Sequence, residues 1–289
     1  MEGIYMKKDI FDLPGWDSFV FETSKEVIDL IKHINDDQKN HLWLSRGQNL
    51  CWKKLLPGID RKPYSQIRSR SDKLALERAC IDQFKTTAFI GASKRERREL
   101  TYDIGALMVL QHYGGFTRLL DWSTDPFVST YFAVDDNDDK DSELWFFEYQ
   151  KYLERGAEQW SNYPNIDKDC SILVRYQQLF KPTAPKPYFF MCIFDYLQFD
   201  RIESQSGFFS ITSSFNIDHA EAISTLFNGE RDKYCRYIIK GEFKAEIRKV
   251  LKDQYNIWDG VLFPDTAGAA ESVKRQFIKN ANRVISKLS

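Results

Sequence analysis

The sequence predicts one mixed α+β domain, a sheet flanked by helices, with residues 1–40 as a helical N-terminal extension. Three observations carry that expectation. Apolar stripes at helical spacing alternate irregularly with short aromatic-rich runs, which fits neither a strict strand–helix repeat nor an all-helical plan. The 289 residues are 43% hydrophobic and 29% charged, with 22 Phe, 14 Tyr and 7 Trp, enough to bury a sizeable core. No internal repeat or low-complexity tract divides the chain.

The elements follow in order. Thr23-Ser24-Lys25-Glu26 reads as a capping box, followed by a helical stripe of Val27, Ile28, Leu30, Ile31 and Ile34. Leu42-Trp43-Leu44 runs as a strand into Ser45-Arg46-Gly47-Gln48. Pro57, Gly58 and Pro63 make 53–64 a loop that ends near Arg61. Leu74, Ile81, Phe84 and Ala88 give a helix over 71–90 with Gly91 as its stop. A charged turn over 94–99 precedes a helix capped by Thr101 and carrying Ile104, Leu107, Met108 and Gln111. The spacing then predicts a strand over 117–122. Asp125 and Pro126 open a helix that carries Phe127, Val128, Tyr131 and Phe132 on one side. Runs at 143–147, 188–194, 208–211, 237–239 and 261–263 read as strands. Residues 149–187, polar and spotted with proline, read as a partly helical insertion in a domain spanning 41–289. Helical spacing returns at Ile247, Val250 and Leu251 and again over 269–285.

Several functions are disfavoured by composition. No apolar run approaches the roughly 18 residues of a membrane-spanning helix. The first eight residues lack the apolar stretch of a secretory signal. Cys51, Cys80, Cys170, Cys192 and Cys235 stand singly, which suits a reducing cytoplasm. The net charge of −1 removes the basic footprint of a dedicated duplex-binding protein. The four histidines show no metal-ligand spacing, and the acidic loop at 135–141 lacks the glycine and glutamate of a calcium loop. It reads as a solvated turn, and no metal site is expected.

Two places carry chemistry. Arg46-Gly47 at a strand end offers a fixed guanidinium for phosphate, beside a backbone that a flat ring can approach. The blander alternative is a salt bridge next to a turn glycine. The run from Gln111 through His112, Arg118 and Asp121 to Trp122 places ionisable groups at a strand–helix junction. Its alternative is an internal ion pair, although Arg118 and Asp121 would point to opposite faces of a straight strand. Tyr131 reads as core from spacing alone, and Gln205 as a strand-edge residue.

Together these runs resemble the FRG domain family, named for a Phe/Tyr-Arg-Gly signature. The matching pieces are Ser45-Arg46-Gly47-Gln48, Leu56-Pro57 through Arg61, and Leu110-Gln111-His112-Tyr113-Gly114 through Thr117-Arg118-Leu119-Leu120-Asp121-Trp122. Asp125-Pro126, Tyr131-Phe132-Ala133, Gln205-Ser206-Gly207-Phe208 and Leu262-Phe263-Pro264-Asp265 continue in the family's order, over about residues 43–275. Ser45 stands where the family has its aromatic, and Phe116 where a proline is usual. The order of Arg46-Gly47, the 117–122 strand, the Tyr131 helix and Gln205 is also similar to that of ADP-ribosyltransferases.

That second resemblance implies a bent or split, mainly antiparallel sheet and an enzyme that uses NAD. It would transfer ADP-ribose to an unidentified acceptor or hydrolyse NAD. It assigns Arg46, Tyr131 and Gln205 to catalysis. Gly47 would hold the nicotinamide amide and Tyr131 its ring, while Gln48, Arg61, His112, Arg118, Asp121 and Trp122 complete the nucleotide pocket. Glutamine is no general base, so chemistry would rest on charge stabilisation or on a carboxylate such as Asp121 or Glu203. The alternative is a non-catalytic module that binds a nucleotide, a nucleic-acid end or a protein in the same cleft. A defence or toxin role is compatible with a domain of this kind.

Overall fold

The computed structural model describes residues 7–8, 13, 15–163, 172–194 and 205–263. Among the described residues the strands are β1 (Lys7–Lys8), β2 (Asp17–Val20), β3 (Trp43–Gln48), β4 (Leu120–Ser123), β5 (Ser142–Glu148), β6 (Phe190–Phe194), β7 (Gly207–Thr212) and β8 (Tyr234–Ile239). They form one sheet in the order β1-β2-β8-β5-β3-β4-β7-β6. Only β2 and β8 run parallel. β3 lies against β5 over six residue pairs but meets β4 only at Ser45 and Ser123. Beyond Ser45 the two strands diverge, so the sheet is split as expected.

Ten helices surround it among the described residues: α1 (Ser24–Asp37), α2 (Arg70–Ala88), α3 (Lys94–Glu99), α4 (Asp103–His112), α5 (Pro126–Val134), α6 (Tyr149–Gln159), α7 (Ile172–Leu179), α8 (His219–Leu226), α9 (Lys244–Tyr255) and α10 (Asp259–Leu262). The alternation of β5 shows how the core is organised. Leu144 and Phe146 pack with α1, α5 and α9, while Trp145 and Phe147 pack on the opposite face with Trp16, Leu44, Trp122 and α8. Both faces of the central strands are therefore buried. A third apolar cluster joins α2 and α4 to the β6–β7 end.

Local chemistry accounts for the ends. Thr23 Oγ1 accepts the Glu26 N–H at the start of α1, while the Glu26 carboxylate reaches back to the Glu22 N–H. All five residues of the α1 stripe are buried. Asp125 accepts the Phe127 and Val128 N–H groups ahead of Pro126, which opens α5.

Some expectations are corrected. Within the segment expected as a helical extension, β2 lies in the sheet beside β8, and α1 shares the core of α5. The 94–99 turn is helical because Ser93 and Glu96 form a full capping box. Thr101 donates to Arg98 O and so closes α3, whereas α4 starts at Asp103. The strand expected at 117–122 begins only at Leu120, because Thr117 Oγ1 accepts the Leu119 N–H and folds 117–119 into a turn. Residues 261–263 do not form a strand: Asp259–Leu262 is a helical turn, since three apolar residues are too few to set a period. β2 and α8 have no counterpart in the sequence reading. The helix expected over 269–285 lies outside the described residues.

Candidate functional site

Where β3 and β4 part, a cleft of about 680 Å³ opens, a volume ordinary for small-molecule sites. Its walls come from β3, the 49–61 loop, the end of α4, β4, α5 and the start of β7.

Strand alternation aims the central arginine. Ser45 and Gly47 face α5, and Leu44, Arg46 and Gln48 face the other way. Gly47 is required for packing: a Cβ there would lie 1.9 Å from Ser129 O and 2.6 Å from Ala133 N, both on the α5 backbone. The glycine thus lets helix and strand touch, and its Cα face is not available to a ligand ring. Next to it, Ser45 Oγ bonds Ser129 Oγ (2.9 Å) and Ser123 O (3.1 Å), a position where an aromatic ring would have no room.

The Arg46 side chain is 13% exposed. Its Nη1 donates to Asp121 O at 2.6 Å and lies 3.6 Å from Asp121 Oδ2, while its Nε has no partner. Burial, resisted by Asp121, pulls this guanidinium down to about 10. Arg61, on the same wall, is also lowered by desolvation. Asp121 is the carboxylate that faces both arginines, and Gln111 Nε2 holds its Oδ2 at 2.8 Å. On the α8 side, His219 is fully buried with Nδ1 on Ser210 Oγ (2.8 Å) and no partner for Nε2. Burial and the Arg46 charge hold it neutral, at about 3. Gln48 donates to Glu143 Oε1 (2.7 Å) and Lys54 O (3.0 Å). Glu143, raised by burial, also accepts from the Trp52 N–H and from Arg236 Nη1.

Of the predicted residues, Arg46, Gly47, Gln48, Arg61, His112, Asp121, Trp122 and Gln205 all line this cleft. Gln205 Nε2 donates to Leu262 O, and its own carbonyl accepts from Ser123 Oγ. Trp122 donates from Nε1 to Ser210 Oγ and belongs mostly to the core.

Two of the predicted residues, Arg118 and Tyr131, lie away from the cleft wall. Arg118 is turned into the interior, 1% exposed, in a bidentate pair with Glu77 whose two bonds are each 2.7 Å. Its guanidinium sits 4.4 Å from the centre of the Phe215 ring. Arg118 sits in the 117–119 turn ahead of β4, which directs it away from Asp121, so the ion-pair reading applies to it and its partner is Glu77 on α2. Tyr131 is buried with its hydroxyl on Asp259 and takes no part in the cleft wall, because α5 turns that side of the helix to the core. The neighbouring Phe132 lines the cleft instead, 6.0 Å from the Phe263 ring.

Trp52, Asp135 and Asp259 are lining residues that the sequence reading missed. Trp52 carried a signal, a large ring between Cys51 and two lysines in a loop with no apolar period. Asp135 and Asp259 carried none.

The family model of the FRG domain matches residues 41–142, the stretch that supplies β3, the 49–61 loop, the end of α4, β4 and α5. No curated protein matches the chain, and no solved structure does. No helix among the described residues is long and apolar enough to cross a membrane.

Proposed function

We propose that this FRG-domain protein binds NAD or a related nucleotide in the β3–β4 cleft and breaks the bond between nicotinamide and ribose. The observation that carries the reading is Arg46: a nearly buried guanidinium with an unused N–H, at the wall of a cleft of nucleotide size. A buried donor without a partner is costly, and a ligand phosphate would satisfy it. Arg46 and Arg61 are two guanidinium groups on one wall that both face Asp121, a pair of donors able to meet a diphosphate, while Asp135 and Asp259 line the cleft as well. His219 adds no charge, being neutral.

Phe132 and Phe263 offer flat apolar surface for a ring, the role the resemblance gave to Tyr131. Glycosidic cleavage develops positive charge on the ribose, and Asp121, positioned by Gln111 and Arg46, is the group proposed to stabilise it. The Gln205 amide orients and does not act as a base. A reducing, cytoplasmic setting belongs to the same proposal, on the single cysteines Cys51, Cys80, Cys192 and Cys235, all free thiols.

The deciding experiment measures nicotinamide release from NAD by wild type and Asp121→Asn. Release by wild type that falls about a hundredfold in Asp121→Asn supports the reading. No release, with thermal stabilisation by NAD or ADP-ribose, replaces it with a non-catalytic nucleotide-binding module. The engagement of Tyr131 in the core is the observation that favours this second reading.

A further inference from the structure

The net charge of −1 conceals an uneven distribution. Residues 51–100 contain thirteen Lys and Arg against six Asp and Glu, and the rest of the chain carries the compensating acid. Inside the fold Asp60 and Lys73 cancel one another and Glu77 is consumed by Arg118, while Lys85 pairs with Asp103, which leaves the segment still rich in Lys and Arg. Arg61 lines the cleft, and Lys53, Lys54 and Lys62, beside Trp52 and Arg61 in the chain, are exposed.

Large aromatic rings are exposed on this loop and on the 112–117 loop that packs against it. Trp52 is 62% exposed and Phe116 58%, although a ring of this size gains more than most side chains from burial. Trp52 and Arg61 line the cleft itself. Phe116 packs over Gly58 and against Tyr64, with the two ring centres 5.1 Å apart, so the 49–66 and 112–117 loops meet there. Backbone contacts hold the platform in place, with the Trp52 N–H on Glu143 and Ile59 N–H on Thr117 O. The exposure is therefore not that of a loose loop.

We propose that this rim is a binding surface for single-stranded nucleic acid, seated across the entrance of the cleft. Cations alternating with exposed ring faces match a strand that offers phosphates and unstacked bases in turn. A duplex hides its bases and would leave the rings unused. An acidic peptide would meet the lysines but give Trp52 and Phe116 no flat partner. The inference does not depend on the chemistry inside the cleft.

The test is fluorescence anisotropy with labelled twelve-residue oligouridylate and oligothymidylate, beside a twelve-pair duplex and a polyglutamate peptide. Wild type is compared with Trp52→Ala, Phe116→Ala and Lys53→Glu/Lys54→Glu, with circular dichroism melts confirming that each is folded. The single strands should bind more tightly than the duplex or the peptide. With three to four phosphates engaged, affinity should fall about 20- to 50-fold between 50 and 200 mM salt. The charge reversal should weaken binding at least about tenfold, and each aromatic truncation about fivefold or more. The proposal is overturned if wild type binds no single strand at 50 mM salt, or if the duplex or polyglutamate binds as well. It is equally overturned if Trp52→Ala, Phe116→Ala and the charge reversal all leave the affinity within twofold.

Discussion

Arg46 and Arg118 lie in one sequence family motif set and look alike in the sequence, yet truncating them should have opposite consequences. Arg118→Ala leaves Glu77, itself fully buried, without its bidentate partner. Removing one member of such a pair costs about 3–5 kcal/mol. Unfolding entropy near 2.1 cal/mol/K per residue gives about 0.6 kcal/mol/K for 289 residues, so the melting temperature should drop by about 5–8 °C.

For Arg46→Ala the balance differs. The lost ion pair is to Asp121, half-exposed, and pairs of that kind contribute about 0–1 kcal/mol. Against that loss, the variant no longer buries a guanidinium with an orphaned Nε. The net should stay within about 1 kcal/mol, a shift below about 2 °C. Calorimetric melts of the two variants at pH 7 measure the difference, and nucleotide-induced stabilisation should disappear in Arg46→Ala. A drop for Arg46→Ala as large as that for Arg118→Ala would refute the reasoning, since Arg46 would then be structural.

Other outcomes follow from the same geometry. Gly47→Ala should destabilise by about 3 kcal/mol or more, because its Cβ meets two α5 backbone atoms that cannot step aside; an unchanged melting temperature would show that α5 yields. His219 is held at about 3 against 6.5 when unfolded, so stability is full above pH 6.5 and is lost as pH falls toward 3. Between pH 7 and pH 5 this amounts to about 2 kcal/mol. Urea denaturation at both pH values should show that loss in wild type and a smaller one in His219→Gln. Phe132→Ala should weaken NAD-dependent stabilisation up to about tenfold, whereas Tyr131→Phe should leave it within about twofold; the reverse order would return the ring-binding role to Tyr131.

The sequence by itself determined the elements whose signals are local. The α1 stripe, the Asp125-Pro126 opening of α5 and the aromatic runs of β5, β6, β7 and β8 all appear where short-range periodicity and capping put them. The Arg46-Gly47 strand was legible from its short apolar run, and the motif named Arg46 and Asp121 as residues of one pocket, although Arg46 lies within β3 and not at its end. Partner choice was not legible, because it depends on which faces meet across the fold. Whether Arg118 or Arg46 confronts Asp121 is decided by the turn ahead of β4 and by Glu77, forty-one residues earlier on α2. Whether Tyr131 or Phe132 reaches the cleft is a rotation of about 100° on α5, fixed by how tightly that helix seats on Gly47. The parallel pairing of β2 with β8 joins residues more than two hundred positions apart, and no local pattern encodes a register over that distance. The cleft itself exists only because β3 and β4 share a single residue pair before they part.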